Sequence, residues 1–205
     1  MKIYDFEQRS PEWYEVRRAK FTASDANTIM AMGKGLETLI SKKLAEYYST
    51  GNFEDFTGKF INKNMERGVE FEDRARSIYE LETGSKVTQV GFVEANEYLG
   101  CSPDGLVDSD GLIEIKNHND EVFLRLCEDH KIDKKYYDQM QMQMYVTGRK
   151  WCDYFGFNPN FSPCYVRIRV PADTSAFERI DEAMPHAIAS FERRKATLDK
   201  YLERI

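Results

Sequence analysis

Cysteine and histidine are scarce in this 205-residue sequence. The four cysteines are Cys101, Cys127, Cys152 and Cys164, and the three histidines are His118, His130 and His186. No two cysteines form the C-x-x-C pair that seeds zinc sites and redox dithiols, and their spacing does not fit a cysteine-bound iron-sulfur cluster. The histidines show no metal-ligand spacing either. We therefore expect buried free thiols and histidines at ordinary polar positions.

Long apolar runs are also missing. No stretch approaches the roughly 18 continuous apolar residues that a membrane span needs. The opening segment MKIYDFEQRS is polar and lacks the apolar centre of a secretory signal. We expect a cytoplasmic protein without membrane contacts.

Positive charge is not in excess. The chain has 29 basic and 35 acidic residues, a formal net charge of −6. This balance argues against a protein that coats nucleic acid by bulk electrostatics, so any contact with DNA must be local. Cations are concentrated near the start, where they could form a phosphate-binding face or could be ordinary charges on solvated helices. They are Arg17, Arg18, Lys20, Lys34, Lys42 and Lys43.

The composition that is present fits one α/β domain. The chain is 41% apolar, enough for a substantial core, and it contains no internal repeat, low-complexity tract or convincing linker. We predict a single domain over residues 1–205. It comprises a helical part at about 10–83, a sheet-bearing core at about 86–170 and a final helix at about 174–202.

Helix signals dominate the first 83 residues. The run Ser10-Pro11-Glu12 combines an N-cap, a proline at the first helical position and an acid that suits the helix dipole. It predicts a helix from residue 11 to about 19. Thr22 or Ser24 can cap a second helix through about residue 32. Apolar residues at three- and four-residue spacing predict amphipathic helices over 36–48 and 59–81.

Strand signals begin after Gly84. Residues 86–93 are rich in β-branched and aromatic side chains, and 101–107 and 112–116 predict two strands joined by a tight turn at 108–111. Helices are predicted at about 120–127 and 136–145, strands at 151–157 and 164–170, and a long helix at 174–202. We expect a mixed α/β chain with one central mixed sheet flanked by helices.

Three residues around this hairpin carry candidate chemistry. Along strand 112–116 the side chains alternate, so Glu114 and Lys116 share one face while Ile113 and Ile115 take the other. Asp104, at the end of the preceding strand, is brought back to the same point by the turn. Carboxylate oxygens favour Mg²⁺ or Mn²⁺, and a neighbouring ammonium can orient or deprotonate a water. The set predicts a metal-dependent centre that cuts phosphodiesters.

A simpler alternative explains the same three residues. Glu114 and Lys116 could form a surface salt bridge on a half-exposed strand, with Asp104 and Gly105 merely making a turn. Short motifs match by chance often enough that alternation alone does not decide between the two interpretations.

Further motifs favour the catalytic interpretation. The order Pro103-Asp104, a short gap, then Glu114-x-Lys116 resembles the PD-(D/E)-x-K pattern of nucleases with the restriction-endonuclease-like fold. Other motifs surround it: Arg17-x-x-x-x-Thr22-Ala-Ser24, Gly68-x-x-x-Glu72-x-x-Ala-Arg76, Ser102-Pro-Asp-Gly105 and Tyr136-x-x-Gln139-x-Gln141. Together they resemble the lambda exonuclease family (YqaJ-like viral recombinases and alkaline exonucleases) over nearly the whole chain. Several motifs in the right order are much more specific than one.

The resemblance implies a metal site. Asp104, Glu114 and the Ile115 carbonyl would bind Mg²⁺, for which Mn²⁺ can substitute, and Lys116 would orient or activate the attacking water. Glu72 would approach the same site and help to bind a second cation or water. Its alternative is a helix-surface acid paired with Arg76 four residues later.

The resemblance also implies a role for glutamines on the following helix. Gln139 and Gln141 would reach the site to hydrogen-bond water or phosphate. Gln143 continues the same alternation, so the choice among the three stays open, and the alternative for all of them is a polar helix face.

A pocket for a 5′-terminal phosphate is the third implication. Arg17, Ser24 and Ser102 would gather round it, since an arginine fork and two hydroxyls suit a phosphate dianion. Taken singly, they could be a helix-surface arginine and capping or turn serines. Lys34 would track DNA from a loop between two glycines. Trp13 could be exposed for a partner protein or could belong to the core.

We therefore expect a Mg²⁺-dependent 5′-to-3′ exonuclease of phage-type recombination. It would act on linear double-stranded DNA with 5′-phosphate ends, release 5′-mononucleotides and leave a 3′ single strand. The resemblance further implies a homotrimeric ring, a single-strand annealing protein as partner, and the host cytoplasm as location if a phage encodes the chain. The alternatives are an endonuclease or RecB-like nuclease of the same fold, or a non-catalytic module that binds DNA ends.

Overall fold

The structure is a computed structural model that describes residues 1–50 and 63–203, with the backbone alone between 63 and 70. The helices are α1 (Pro11–Arg17), α2 (Ala26–Ala31), α3 (Lys34–Tyr48), α4 (Lys63–Thr83), α5 (Asp120–Asp129), α6 (Lys134–Thr147) and α7 (Thr174–Leu202), with a 3₁₀ turn at Ala23–Asp25. The strands are β1 (Lys2–Tyr4), β2 (Phe21–Thr22), β3 (Val87–Thr88), β4 (Phe92–Glu94), β5 (Leu99–Cys101), β6 (Gly105–Val107), β7 (Gly111–Asn117), β8 (Trp151–Phe157) and β9 (Tyr165–Pro171).

Local signals set most helix ends. The Ser10 hydroxyl accepts from the Trp13 amide at 3.3 Å, and Asn119 caps α5 by accepting from the Val122 amide at 2.9 Å. Gly148, at a φ of 67°, ends α6 in the left-handed conformation that glycine adopts without strain. The predicted helices are confirmed within a few residues of their predicted ends. The predicted helix over 59–81 starts in part outside the described residues, since 59–62 are not among them.

The described strands form two mixed sheets rather than the single sheet that was predicted. The larger sheet has the order β3-β6-β7-β8-β9, and β7 and β8 are its parallel pair. The smaller has the order β1-β4-β5-β2; strand β2 lies within the part predicted to be helical, and β1 precedes that part. The predicted strand 101–107 is therefore wrong: residues 102–104 carry the chain from β5 in one sheet to β6 in the other.

The larger sheet is covered on both faces. Ile113 and Ile115 pack with Phe155 and Phe157 against Ala75 and other residues of α4. On the opposite face, Leu112 belongs to the main core with residues of α6 and α7. Strand β7 is thus buried on both faces, so the polar side chain of Glu114 lies away from bulk water.

Two whole-chain expectations have plain outcomes. All four cysteines are free; Cys101 and Cys152 are buried, whereas Cys127 and Cys164 are partly exposed. No helix in residues 1–50 or 63–203 is both long and apolar enough to cross a lipid bilayer.

Candidate active site

The hairpin β6–β7 places the predicted acidic residues together. Ile113 lies opposite Gly105 across the antiparallel pair, so Asp104, just before β6, lies near Glu114 and Ile115. A Cβ on Gly105 would come within 2.2 Å of Val87 on β3, which explains why glycine follows the aspartate. Asp104 therefore immediately precedes strand β6, whereas the prediction placed it at the end of a strand.

Asp104 is held by the backbone of β7. Its Oδ2 accepts from the Ile115 amide at 2.6 Å. Burial raises its pKa well above the usual value for aspartate, and the neighbouring Glu114 charge raises it further, while Lys116 opposes the shift. Two carboxylates thus share one site that is short of positive charge.

Glu114 is almost fully buried, with 1% of its surface exposed. Its Oε1 accepts from Lys116 Nζ and from Gln139 Nε2, the latter at 2.7 Å, and its Oε2 accepts from Gln143 Nε2 at 2.7 Å. An exposed salt bridge on a half-exposed strand, the simpler alternative, does not fit a carboxylate so enclosed.

The glutamines of α6 correct one prediction. Gln139 and Gln143, four residues apart, lie on the same helix face and both reach Glu114. Gln141 points elsewhere: its amide donates to the Pro171 carbonyl at 2.9 Å, and its oxygen accepts from the Asp173 amide. The α-helical period was the signal that favoured Gln143 over Gln141, because two residues correspond to a rotation of roughly 200°.

Lys116 lies at the mouth of the site, with 24% of its side chain exposed. Burial by itself lowers the pKa of the ammonium, but the charges of Glu114 and Asp104 outweigh it, so the pKa is raised. The ammonium also lies 5.0 Å from the centre of the Tyr136 ring. Lys116 is therefore a fixed cation beside the two carboxylates.

Glu72 approaches the site from α4. Its carboxylate is 3.1 Å from Arg76 and 3.4 Å from Arg9, and its charge contributes to the raised pKa of Asp104. The predicted pairing with Arg76 and the predicted approach to the site therefore coexist.

The donor set suits a hard divalent cation. Asp104 and Glu114 supply two carboxylates whose mutual repulsion a cation would relieve. Across the described ranges, no three His, Cys, Asp or Glu side chains converge as a metal-binding group. An ion at this point would thus depend on two carboxylates completed by backbone and water oxygens, the pattern that Mg²⁺ favours.

A second polar cluster joins the site through Ser102. Arg17 donates to the Ser102 hydroxyl at 3.0 Å, and that hydroxyl donates to the Gly91 carbonyl at 2.8 Å. The Arg17 guanidinium stacks 4.1 Å from the centre of the Trp13 ring, whose indole nitrogen also contacts Ser102 at 2.9 Å. Trp13, which is partly exposed, therefore positions this cluster, and its contact with a partner protein stays a prediction.

Arg17 is poorly solvated for a cation. Burial lowers its pKa to about 10, and the Asp25 charge partly opposes that shift. It remains protonated at neutral pH. No acid in the described part of the chain forms an ion pair with Arg17, so this desolvated cation is a favourable site for an anion.

The two other residues predicted to contact phosphate, Ser24 and Lys34, lie in different places. Ser24 is hydrogen-bonded to Thr22 at 3.0 Å and lines a cavity of about 120 Å³ with Arg17 and Lys42. Lys34 is the first residue of α3 and does not line that cavity, so the predicted loop position is wrong.

Gln8 is a site residue that no sequence pattern indicated. Its amide nitrogen donates to the Val90 carbonyl at 2.9 Å and to the Pro103 carbonyl at 3.0 Å. It ties the N-terminal segment to the residue before Asp104. Because the contact joins residues 95 positions apart, no local spacing could reveal it.

Comparisons with known proteins agree with this geometry. The sequence profile of the YqaJ-like viral recombinase domain matches residues 12–150. The structure of LHK-Exo, an alkaline exonuclease from Laribacter hongkongensis, is 30% identical and superposes with a TM-score of 0.85 over 95% of this chain and 99% of that one. LHK-Exo in complex with dAMP matches with the same values. A search of curated protein sequences finds no match.

A more distant structure shares the fold. A phage-related exonuclease from Haemophilus somnus 129PT is 15% identical and has a TM-score of 0.62, with 90% of this chain and 99% of that one covered. The profile match spans more than half of the chain, and the LHK-Exo match spans nearly all of it. The chain therefore belongs to the YqaJ-like viral recombinase family, the family of lambda exonuclease, and is a nuclease of that family.

Proposed function

We propose that this protein is a Mg²⁺-dependent 5′-to-3′ exonuclease on linear double-stranded DNA, acting in phage-type homologous recombination. It would remove 5′-mononucleotides from one strand and leave the other as a 3′ single strand. The observation that carries the proposal is that two polar clusters lie side by side. The acid pair with Lys116 suits phosphodiester cutting, and the Arg17–Ser102 pair beside it suits a terminal phosphate.

Asp104, Glu114 and the Ile115 carbonyl would hold the metal. When bound, Mg²⁺ (or Mn²⁺) supplies a Lewis acid that offsets phosphate charge and eases the ionisation of water. Gln139 and Gln143 hold the two oxygens of Glu114, and Lys116 would present its ammonium to the attacking water.

The proposed reaction is a hydrolysis. Water oxygen bonds to the scissile phosphorus, the bond from phosphorus to the 3′ oxygen breaks, and that oxygen takes up a proton. The released nucleotide carries its original 5′ phosphate and a new 3′ hydroxyl. The remaining strand begins with a new 5′ phosphate, so each cut regenerates the group that Arg17 and Ser102 are proposed to bind.

The relatives support the same class of activity. LHK-Exo is described as an alkaline exonuclease, and one of its structures contains dAMP, a deoxynucleotide. The identity of 30% over 95% of this chain makes the transfer of exonuclease activity the natural proposal.

End-labelled linear duplex tests polarity and metal dependence together. We expect 5′-labelled, 5′-phosphorylated duplex to release labelled mononucleotide with Mg²⁺ and to stay intact with EDTA. Lys116→Ala should abolish release while sparing binding to DNA ends, because the ammonium acts on the reacting phosphate more than on ground-state binding. Undiminished cutting by that variant would remove Lys116 from the mechanism.

The alternatives give different products. Cutting of a covalently closed circle would indicate an endonuclease, and binding of linear duplex without any cutting would indicate an end-binding module. To test the phosphate pocket, Arg17→Ala should slow digestion of 5′-phosphorylated ends more than of 5′-hydroxyl ends. Its matched control is Arg18→Ala, at the adjacent position. An equal loss on both kinds of end would exclude the proposed role of Arg17.

The assembly and the partner belong to the same proposal. We propose a homotrimeric ring that encloses DNA and works with a single-strand annealing protein. Encirclement would explain how a chain of net charge −6 keeps hold of DNA. Co-sedimentation with an annealing protein of the same recombination system is the measurement for that partner.

A further inference from the structure

Arg9 lies in a tight turn at a position where glycine is the usual residue. The Ser10 amide donates to the Glu7 carbonyl at 3.2 Å and closes a four-residue turn with Gln8 and Arg9 at its centre. Arg9 has a φ of 71°, whereas Gln8 has a negative φ. This combination is that of a type II turn, whose third residue is normally glycine or asparagine. Arginine at this point costs backbone free energy that glycine would avoid.

The turn is fixed beside the acid pair. Gln8 donates to the carbonyl of Pro103 at 3.0 Å, and Pro103 immediately precedes Asp104. A cavity of about 380 Å³ lies between the turn and α4, and Arg9, Glu72 and Asp104 all line it. The Arg9 side chain therefore shares a cavity with one of the proposed metal ligands.

Acids outnumber cations around this cavity. Five carboxylate side chains line it, against two cations, Arg9 and Arg76. A wall of this charge repels phosphate groups and attracts divalent cations. The surroundings of Arg9 thus favour an action on carboxylates and metal ions over a contact with DNA.

Two arginines of unlike character hold Glu72. Its Oε1 is 3.1 Å from Arg76, which is buried and also pairs with Asp73 at 2.6 Å. Its Oε2 is 3.4 Å from Arg9, whose side chain is 47% exposed. Arg76 is therefore a fixed partner, whereas Arg9 makes a long, solvated contact that a competing cation can displace.

The charge of Glu72 is felt at the proposed metal site. Burial and the Glu114 charge raise the pKa of Asp104, and the Glu72 charge adds to that rise. A cation beside Asp104 would be attracted to Glu72 as well. The Glu72 oxygen that Arg76 leaves free is the one that Arg9 occupies, so the guanidinium and the ion would compete for it.

We propose that Arg9 is a positioning residue that holds Glu72 Oε2 away from the metal and thereby weakens the binding of a divalent cation. The ion must displace Arg9 before Glu72 contributes an oxygen. This role of Arg9 rests on the proposed function, because it requires a cation at Asp104 and Glu114. It adds a residue outside the metal-binding set that controls how tightly the ion is held.

Titration of the DNA-free protein with Mn²⁺ in a calorimeter is the first test. Arg9→Gly should bind Mn²⁺ about two- to fivefold more tightly than the parent protein, the range that corresponds to the loss of one exposed ion pair. Arg9→Lys should keep the parent affinity because it keeps the positive charge. Arg74→Gln is the matched control, since it removes an exposed cation of α4 that lies over the Phe157 ring rather than beside Glu72.

Two further measurements separate positioning from a role in folding. Arg9→Gly should be at least as stable as the parent in urea, because glycine suits the turn. A less stable Arg9→Gly with the parent Mn²⁺ affinity would make the contact structural and overturn the proposed role. In a Glu72→Gln background, where the contested charge is gone, Arg9→Gly should not change the Mn²⁺ affinity. A gain that persists there would mean that Arg9 acts on the ion directly and not through Glu72.

Failure of this role and failure of the proposed function give different results. Equal Mn²⁺ affinities of Arg9→Gly and the parent, with metal-dependent digestion by the parent intact, would overturn the role of Arg9 alone. Digestion of 5′-phosphorylated linear duplex in EDTA, or a parent protein that does not bind Mn²⁺, would overturn the proposed function and the role of Arg9 with it.

Discussion

Glu114 accepts hydrogen bonds from three side chains although only 1% of its surface is exposed. Lys116 and Gln139 share one of its oxygens, and Gln143 holds the other. A carboxylate so far from water depends on such donors, because burial of an unpaired charge costs several kcal/mol. The same donors fix the direction of the oxygens that would face a metal.

Gln143→Ala and Gln141→Ala form a matched pair on α6. Loss of the Gln143 amide frees one Glu114 oxygen, and removal of such supporting contacts typically costs 10- to 100-fold in activity or metal affinity. We expect that reduction in kcat for Gln143→Ala. Gln141→Ala should keep kcat and lose about 1–3 kcal/mol of unfolding free energy, because its bonds join α6 to the end of β9. A larger loss of kcat for Gln141→Ala would contradict this assignment.

His118 should make the fold sensitive to acid. Burial, followed by the Lys116 charge, lowers its pKa from 6.5 to about 4. The native state therefore favours the neutral ring. The unfolded chain binds a proton first as pH falls, so this contribution to stability is complete above about pH 6.5 and is lost progressively toward pH 4.

Urea unfolding at pH 7 and pH 4.5 measures this effect. His118→Gln should lose less unfolding free energy between the two pH values than the parent protein. His130→Asn is the control, since His130 is exposed and its left-handed φ of 51° suits asparagine. Equal losses in the parent and in His118→Gln would exclude His118 as a source of the acid sensitivity.

At the scale of elements, α4 is anchored to the large sheet by a buried polar contact. The Tyr79 hydroxyl donates to Asp153 at 2.7 Å. The Arg169 guanidinium donates two hydrogen bonds to the same carboxylate, at 2.8 and 2.9 Å. Tyr79 and Asp153 are both fully buried. Tyr79 lies about two turns after Glu72, so this anchor also sets where Glu72 meets the active site.

Tyr79→Phe and Tyr165→Phe compare this contact with an exposed one. Both tyrosines donate to a carboxylate, but the Tyr165 bond to Glu82, at 2.8 Å, lies at the surface. Tyr79→Phe should lower the unfolding free energy by about 1–3 kcal/mol, because Asp153 loses a donor where water cannot replace it. Tyr165→Phe should change it by less than about 0.5 kcal/mol. Chemical denaturation of both variants checks this, and equal effects would count against a structural role for the buried bond.

Several elements were predictable and their partners were not. The hairpin β6–β7 follows from alternation and a four-residue turn, and both signals are local. Strand β1 (Lys2–Tyr4) pairs with β4 (Phe92–Glu94), and no local sequence pattern in either segment indicates the other as its partner. The second sheet was missed for that reason.

At the scale of the whole molecule, the proposed ring makes a prediction about mass. Light scattering at working concentration should give three times the chain mass of 24.0 kDa. A net-acidic protein gains little from bulk electrostatic attraction to DNA, so enclosure would substitute for charge. A monomer at working concentration would remove the ring from the proposal.

The cations near the N-terminus show that net charge does not indicate which cations are free to bind an anion. Arg18 pairs with Glu15 and Lys20 with Glu94, whereas Arg17 and Lys42 line the small cavity beside Ser24. The predicted cationic face is therefore divided between ion pairs and one candidate anion site. Which cations remain available depends on neighbours brought in from distant segments.

The sequence by itself determined which residues form the candidate site. The spacing of Asp104, Glu114 and Lys116, with Gly105 and the turn between them, is a property of one hairpin, and a strand's two-residue period places the charges on one face. The tertiary structure alone decided that the face of α6 with Gln139 and Gln143 meets Glu114 and that Trp13 supports Arg17. Periodicity states which face a residue occupies, whereas the packing of elements distant in the chain decides what that face meets.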